Sequence, residues 1–336
     1  MRTEGIAADA IRPVIEGLRL RPCSPPDGEA LSRLYNAMDA ADGVPWRATG
    51  AEVENWLGHA RDAFDARRDM VIVERDGALL AEGHVEWVDT TDALREYRIG
   101  VAVHPDWQRR GIGRWLLRMA EEHALQLARS HPSERPGVFG AWLPETRAAQ
   151  RRLLEEEGYR PARWFIEMVR PSLDDLGELP TLPAGLELRP VGDDDLRRLW
   201  DADVEAFQDH WGGFDGSEAR FREWVSDPKF DPSLFVVAWD GEEIAGGVTN
   251  EINVAENEAF GRRRGWLASV FVRRPWRRRG LARTLVIHSL ARVRDAGMTS
   301  AGLGVDADNP NGALRLYEET GFTPEFRSLA VRKPLP

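Results

Sequence analysis

The chain repeats itself once, and this limits the fold more than any other feature of the sequence. Leu18-Arg19-Leu20-Arg21-Pro22 returns as Leu186-Glu187-Leu188-Arg189-Pro190 at an offset of 168, and Trp56 returns as Trp224 at the same offset. Val71-Ile72-Val73-Glu74-Arg75-Asp76-Gly77 answers Phe235-Val236-Val237-Ala238-Trp239-Asp240-Gly241, with the Asp-Gly pairs 164 apart. Gln108-Arg109-Arg110-Gly111-Ile112-Gly113 answers Arg277-Arg278-Arg279-Gly280-Leu281-Ala282 at 169, and Glu157-Gly158-Tyr159 answers Thr320-Gly321-Phe322 at 163. Landmarks in one order at nearly constant spacing mean two copies of one fold. A length of 336 residues suits two such domains,. The expected boundaries are a lead-in over 1–17, helical or mobile, a first domain over 18–170, a linker over 171–184 and a second domain over 185–336. The linker is expected from its three prolines and Gly177, without apolar periodicity,.

Each copy shows the same succession. An opening strand (17–21; 186–189) precedes a helix with apolar residues at three- and four-residue spacing, such as Leu31, Leu34, Tyr35 and Met38,. Short β-rich runs flank the Asp-Gly pairs, a strong hairpin signal. A further strand (99–103; 267–272) enters the arginine- and glycine-rich turn, and an amphipathic helix leaves it. One strand, one helix and a closing strand (164–169; 328–331) complete the copy. The expected class is α/β with a mixed sheet.

Composition removes several alternatives. A net charge of −11 argues against general nucleic-acid binding,. The only lysines, Lys229 and Lys333, lie outside any Walker-type loop,. A single cysteine, Cys23, excludes an internal disulfide and a cysteine metal cluster, and its Pro-rich surroundings suggest a loop filler,. No basic leader with an apolar run and no stretch of about 20 apolar residues occurs, so a soluble, cytoplasmic protein without membrane or metal is expected.

The turn carries the chemistry. A strand running through glycines into a helix presents unpaired N–H groups and a partial positive charge to an anion. Glycine lets the backbone approach a phosphate closely, and consecutive amides form a nest. Arg109, Arg110 and Arg114 surround the first turn; Arg277, Arg278, Arg279 and Arg283 surround the second. A plain structural turn would use the same glycines, but here it occurs twice in corresponding places.

Strand, Gln/Arg-x-x-Gly-x-Gly/Ala, then helix resembles the acetyl-CoA signature of the GNAT (Gcn5-related N-acetyltransferase) superfamily. The resemblance covers both halves, over 18–170 and 185–335. It implies a mixed, mostly antiparallel sheet flanked by helices in each domain, with acetyl-CoA as co-substrate and pantetheine lying where the pre-turn strand splays from its neighbour. It also implies CoA contacts from Ala102, Val103, Gln108, Arg109, Arg110, Gly111, Ile112, Gly113 and Arg114 in the first copy. In the second these are Phe271, Val272, Arg277, Arg278, Arg279, Gly280, Leu281, Ala282 and Arg283. Among tandem members the chain is similar to the mycothiol synthase group, on Ala206-Phe207, His210, Asp227-Pro228-Lys229-Phe230-Asp231-Pro232 and Leu234-Phe235.

Within that resemblance, Asn309 is a CoA contact and Tyr317 the acid that protonates the departing thiolate. The alternative is that Tyr317 is merely a buried residue of an amphipathic helix, and the intact motif around it favours the catalytic role. Asn309 or Asn311 suits a helix cap, and Gly321-Phe322 a Schellman end. The first copy has Leu154 opposite Tyr317 and Thr146 opposite Asn309, so it is expected to bind CoA without catalysis, or to serve as scaffold. The glutamate expected as base falls near Trp266; Glu251 is a substitute candidate, and His210 and Trp211 are candidates for the acceptor pocket. The expected activity is acetyl transfer to a small-molecule primary amine by a monomer or homodimer. A non-catalytic CoA sensor and a different nucleotide-binding α/β protein are the competing accounts.

Overall fold

The computed structural model describes residues 15–309 and 312–336. The expectations placed on most of the lead-in and on Asn311 lie outside the described residues. The chain forms two compact units, the first made of residues 15–162, 226–228 and 328–336, the second of 163–225 and 229–327.

In the first unit β1 (Arg19–Pro22), β2 (Met70–Arg75), β3 (Ala78–Asp89), β4 (Arg95–Val103) and β5 (Gly137–Pro144) lie side by side in that order. All neighbours are antiparallel except β4 and β5. The β2–β3 hairpin turns on Asp76 (φ 51°) and Gly77 (φ 80°), the left-handed pair that a two-residue hairpin favours,. Helices α1 (Gly28–Asp42), α2 (Gly50–Gly58) and α3 (Ala66–Asp69) precede β2; α4 (Ile112–Ser130) joins β4 to β5, and α5 (Ala148–Glu156) follows. The apolar stripe of α4 packs Trp115, Leu116 and Met119 into the core, each under 3% exposed. Cys23 is 1% exposed beside Leu31 and Phe64, and burial pushes its thiol up to about 12. It is a core residue rather than a loop filler.

The second unit repeats the plan. After β6 (Arg160–Arg170) come β7 (Glu187–Arg189), α6 (Leu196–Ala206), α7 (Glu218–Val225), β8 (Val236–Asp240), β9 (Glu243–Glu251) and α8 (Val254–Ala259). Then follow β10 (Arg264–Val272), α9 (Leu281–Asp295), β11 (Ser300–Asp306), α10 (Ala313–Glu319) and β12 (Thr323–Pro334). Here β10 and β11 form the parallel pair.

The closing strands depart from the repeat boundaries. Residues 328–334 of β12 pair with β5, Leu329 facing Leu143 and Val331 facing Ala141. Residues 165–170 of β6 pair with β11, Met168 facing Leu303. Each unit's sheet is thus completed by the strand expected to close the other copy. Both strands carry buried apolar residues (Leu329 1% and Val331 1%; Met168 0% and Ile166 7%), so their patterns do not choose between the two partners,. The segment 171–184 belongs to the second unit, anchored by Leu173, whose backbone N–H donates to the Thr299 carbonyl and whose side chain enters the core.

Candidate active site

In both units the parallel pair opens into a gap. β4 and β5 pair only from Arg95↔Gly137 to Arg98↔Gly140. β4 then continues beside β3 to Val103, while β5 follows its other neighbour to Pro144. β10 and β11 pair only from Arg264↔Ser300 to Trp266↔Gly302, although β10 continues to Val272 and β11 to Asp306. The facing edges beyond those points leave backbone donors and acceptors open to an extended ligand. A bulge between Leu267 and Ser269 disturbs β10 at the start of its gap, where Ala268 is exposed. β4 pairs with β3 without a shift.

At the open end of each gap stands the arginine–glycine turn. Arg109 (φ 62°) and Gly111 (φ 85°) are both left-handed, as are Arg278 (φ 60°) and Gly280 (φ 80°). Alternation of hands turns successive amides inward, and the helix begins directly after the glycine,. A left-handed arginine costs on the order of 1–3 kcal/mol and persists only where its surroundings impose it. The first residue of the motif does that: Gln108 Nε2 donates to the Val103 carbonyl at 3.2 Å, and Arg277 Nε to the Val272 carbonyl at 2.9 Å. Both tie the turn back to its strand. Arg277 also donates to the Ala206 carbonyl, so its guanidinium braces the fold. A Cβ at Gly113 would meet Leu153 at 3.5 Å, an ordinary contact, so Ala282 at the matching place fits equally well.

The first gap widens into a cavity of about 410 Å³ lined by β4, β5, the turn, α4 and α5. Val103, Gln108, Arg109, Gly111, Gly113 and Arg114 line it, among the expected CoA contacts. The others face elsewhere: Ala102 packs against Leu34 and Met38, Ile112 is in the core, and Arg110 lies over the Trp107 ring at 4.7 Å. Most arginines of the lining are already paired, Arg147 with Asp39 and Asp42, Arg114 and Arg152 with Glu156. Arg109 has no ion-pair partner among the described residues. In the second copy Phe271 and Leu281 are core side chains, 3% and 1% exposed. Arg279 donates to the Ala184 carbonyl, and Arg283 pairs with Glu319.

The helices after β5 and β11 end alike. Gly321 (φ 86°) donates to the Glu318 carbonyl and Phe322 to the Tyr317 carbonyl; Gly158 (φ 95°) donates to Glu155 and Tyr159 to Leu154. These are Schellman ends with their apolar contact, Tyr317 against Phe322 with ring centroids 6.0 Å apart,. Tyr317 is 6% exposed, and burial pushes its phenol up to about 12, so it stays protonated across the physiological range. Leu154 occupies that place in the first unit and lines the cavity, while the nearby Tyr159 is fully buried and does not reach it. The cap of α10 is Gly312 without a side-chain bond, so the expected capping by Asn309 is not what the structure shows. Asn309 instead donates its N–H to the Asp306 carbonyl just before the helix.

The acceptor candidates divide along the second gap. Glu251 faces Trp266 at the closed end, its carboxylate 3.8 Å from the Lys229 ammonium. His210 and Trp211 sit at the tip of β11, against Phe165, which pairs with Asp306. The stretch from Gly302 to Asp306 spans roughly 13 Å, so Glu251 and His210 stand at opposite ends. Burial lowers the His210 imidazole below its ordinary value, opposed by Asp306, which Arg163 grips at 2.7 and 2.9 Å. Between these ends is a pair absent from the sequence reading. Ser269 Oγ on β10 donates to Asp203 Oδ1 on α6 at 2.8 Å. Asp203 is 8% exposed, and burial raises its carboxyl to about 7 against that hydrogen bond. The available signal was a carboxylate at position i+7 of the stripe begun by Leu196, Leu199 and Trp200,.

Splayed parallel strands ending in a left-handed arginine–glycine turn, built twice, define a tandem acyl-transfer fold. Family models agree in each half: the acetyltransferase (GNAT) family over residues 196–322 and the acetyltransferase (GNAT) domain over 66–161. The mycothiol acetyltransferase of Geodermatophilus obscurus is 31% identical over 300 residues, covering 88% of this chain and 90% of that protein. That of Salinispora arenicola is 30% identical, covering 90% and 91%. The chain belongs to the GNAT family and is an N-acetyltransferase. A GCN5-related N-acetyltransferase structure from Sphaerobacter thermophilus superposes with TM-score 0.69 at 28% identity, covering 95% and 96%. A tandem GNAT protein of the clavulanic acid biosynthesis pathway shares the fold, with TM-score 0.68 at 19% identity over 94% and 98%. Among the described residues no helix is long and apolar enough to cross a membrane, and no group of three or more His, Cys, Asp or Glu could hold a metal.

Proposed function

We propose that the second unit transfers an acetyl group from acetyl-CoA to a small-molecule primary amine by direct attack. The observation that carries this reading is Tyr317, a protonated phenol 6% exposed on the helix that follows β11. The left-handed turn at Arg278 and Gly280 suits the pyrophosphate, and the gap beyond Trp266 suits an extended pantetheine,. The relatives' activity supports the transfer, and their designation as mycothiol acetyltransferases makes a mycothiol-type amine the first acceptor to try.

In the first unit the cavity has the same turn but Leu154 in place of the phenol, and no tyrosine, histidine or cysteine in its lining. This favours CoA binding without turnover there. Tyr317→Phe tests the assignment: kcat should fall by roughly 10²- to 10⁴-fold, the usual worth of a general acid, with CoA affinity unchanged. Unaltered kcat would remove Tyr317 from the mechanism. Wild-type protein that binds acetyl-CoA yet releases no thiol with any amine would favour a CoA sensor instead.

A further inference from the structure

Proton acceptance is the part of the reaction for which the expected base is missing, since a tryptophan stands where the glutamate was sought. Trp266 donates its indole N–H to Glu256 at 3.0 Å, and Glu251 is engaged by Lys229. We infer that Ser269 and Asp203 form the proton-accepting relay of the second unit, with Ser269 touching the acceptor amine and Asp203 behind it as terminal acceptor. The inference rests on the second unit being the catalytic one.

Three observations converge on the pair. Ser269 lies just past the bulge, in the part of β10 that has left β11, and is half-buried. It stands about 10 Å along the strand from the end of β10 at Val272, between the arginine–glycine turn and the closed end of the gap,. Its hydroxyl proton is committed to Asp203, which leaves the oxygen lone pairs to accept,. Asp203 in turn replaces an apolar residue on the buried stripe of α6, a costly place for a carboxylate that only braces a helix,.

The third observation is the first copy. The counterpart of Ser269 is Gly100, where an added Cβ would fall 2.0 Å from the His84 ring, and the counterpart of Asp203 is Tyr35. The two relay positions and the acid position are therefore all lost from the same copy.

No neighbouring charge sets the titration of Asp203; burial does, opposed by the Ser269 hydroxyl. On its own helix Asp201 pairs with Arg197, and Glu205 with Arg273 just beyond β10. Arg264 of β10 pairs with Glu325, and the charged residues of β9, Glu243 and Glu251, stand at its ends. A carboxyl near 7 is poised to accept a proton at neutral pH,.

In the step, the amine nitrogen bonds to the acyl carbon and its surplus proton passes to Ser269 Oγ. The hydroxyl proton of Ser269 moves to Asp203 Oδ1. The carbon–sulfur bond breaks, and the thiolate takes the phenol proton of Tyr317. Solvent carries the proton of Asp203 back to the Tyr317 phenolate, so amine and thioester become amide and thiol with both residues restored.

The test measures thiol release from acetyl-CoA with the fastest primary amine of a wild-type screen, from pH 5.5 to 9. Asp203→Asn keeps an oxygen to accept from Ser269, so a merely structural tie survives it. The relay predicts that kcat/KM falls by roughly 10²- to 10³-fold in Asp203→Asn and Ser269→Ala, with CoA affinity kept. Ser269→Thr restores most of the loss. The wild-type limb rising toward pH 7 disappears in Asp203→Asn, whereas the ionisation of the amine appears in both proteins. Wild-type kcat/KM with an intact limb in Asp203→Asn would overturn the relay alone. Absence of wild-type thiol release with every amine would overturn the catalytic reading, and the relay with it.

Discussion

Leu329→Ala separates two ways of dividing this chain. By repeat boundaries Leu329 closes the second domain, and its loss should loosen that domain. In the structure it faces Leu143 on β5, is 1% exposed, and belongs to the first unit. Truncating a leucine so fully buried costs about 2–5 kcal/mol, because the transfer term is joined by a cavity that relaxes only in part. A mid-range value of about 3 kcal/mol corresponds to roughly a hundredfold faster exchange for amides that open with the unit. Hydrogen–deuterium exchange read by mass spectrometry resolves where the change falls. Peptides over 137–144 and 95–103 should lose protection in the variant, while those over 264–272 and 300–306 should keep it. Faster exchange over 300–306 with 137–144 unchanged would refute the strand assignment.

Gly321→Ala should lower the melting temperature of the second unit by about 2–6 °C, equivalent to roughly 1–2 kcal/mol. Its φ of 86° resists a side chain, and the new Cβ would sit 2.8 Å from Arg170 Nη1, which donates to the Thr320 carbonyl. A melting temperature equal to wild type would show that the helix end does not need its left-handed residue. In the first unit, Arg109→Glu introduces an acidic group into the cavity where the unpaired arginine stood. Calorimetric titration with acetyl-CoA should then fall from two sites per chain to one, and two retained sites would remove the first turn from CoA binding.

Some elements were legible because their signal is local. The duplication, the Asp-Gly hairpin, the helix ends at Gly158 and Gly321 and the strand–turn–helix around Gly111 and Gly280 depend on a few adjacent residues, and the backbone angles follow from them. The strand exchange was not legible. Residues 163–170 and 328–334 both offer buried apolar side chains to a strand edge, and register fixes the face of a strand without naming its neighbour,. The site was legible in the same measure. Turn residues could be placed by spacing, whereas the separation of Glu251 from His210 depends on where β10 parts from β11. Asp203 was hidden by its surroundings: a single carboxylate in an apolar stripe reads as a helix surface until the strand across from it is known to carry Ser269.

The two copies share their turn and differ at the positions proposed to move protons. If the first had merely decayed, its turn would be free to relax, since Arg109 held at φ 62° carries strain,. Yet Gln108 ties the first turn to Val103 as Arg277 ties the second to Val272. The parallel strands part in both units, and the first opens on a lined cavity. Among the differences are all the groups proposed to move protons: Leu154 for Tyr317, Gly100 for Ser269, Tyr35 for Asp203. Retained strain at the arginine–glycine turn, beside the absent acid and relay positions, supports the proposal of a first copy that binds and a second that reacts. The Arg109→Glu and Tyr317→Phe variants address the two halves of that division separately.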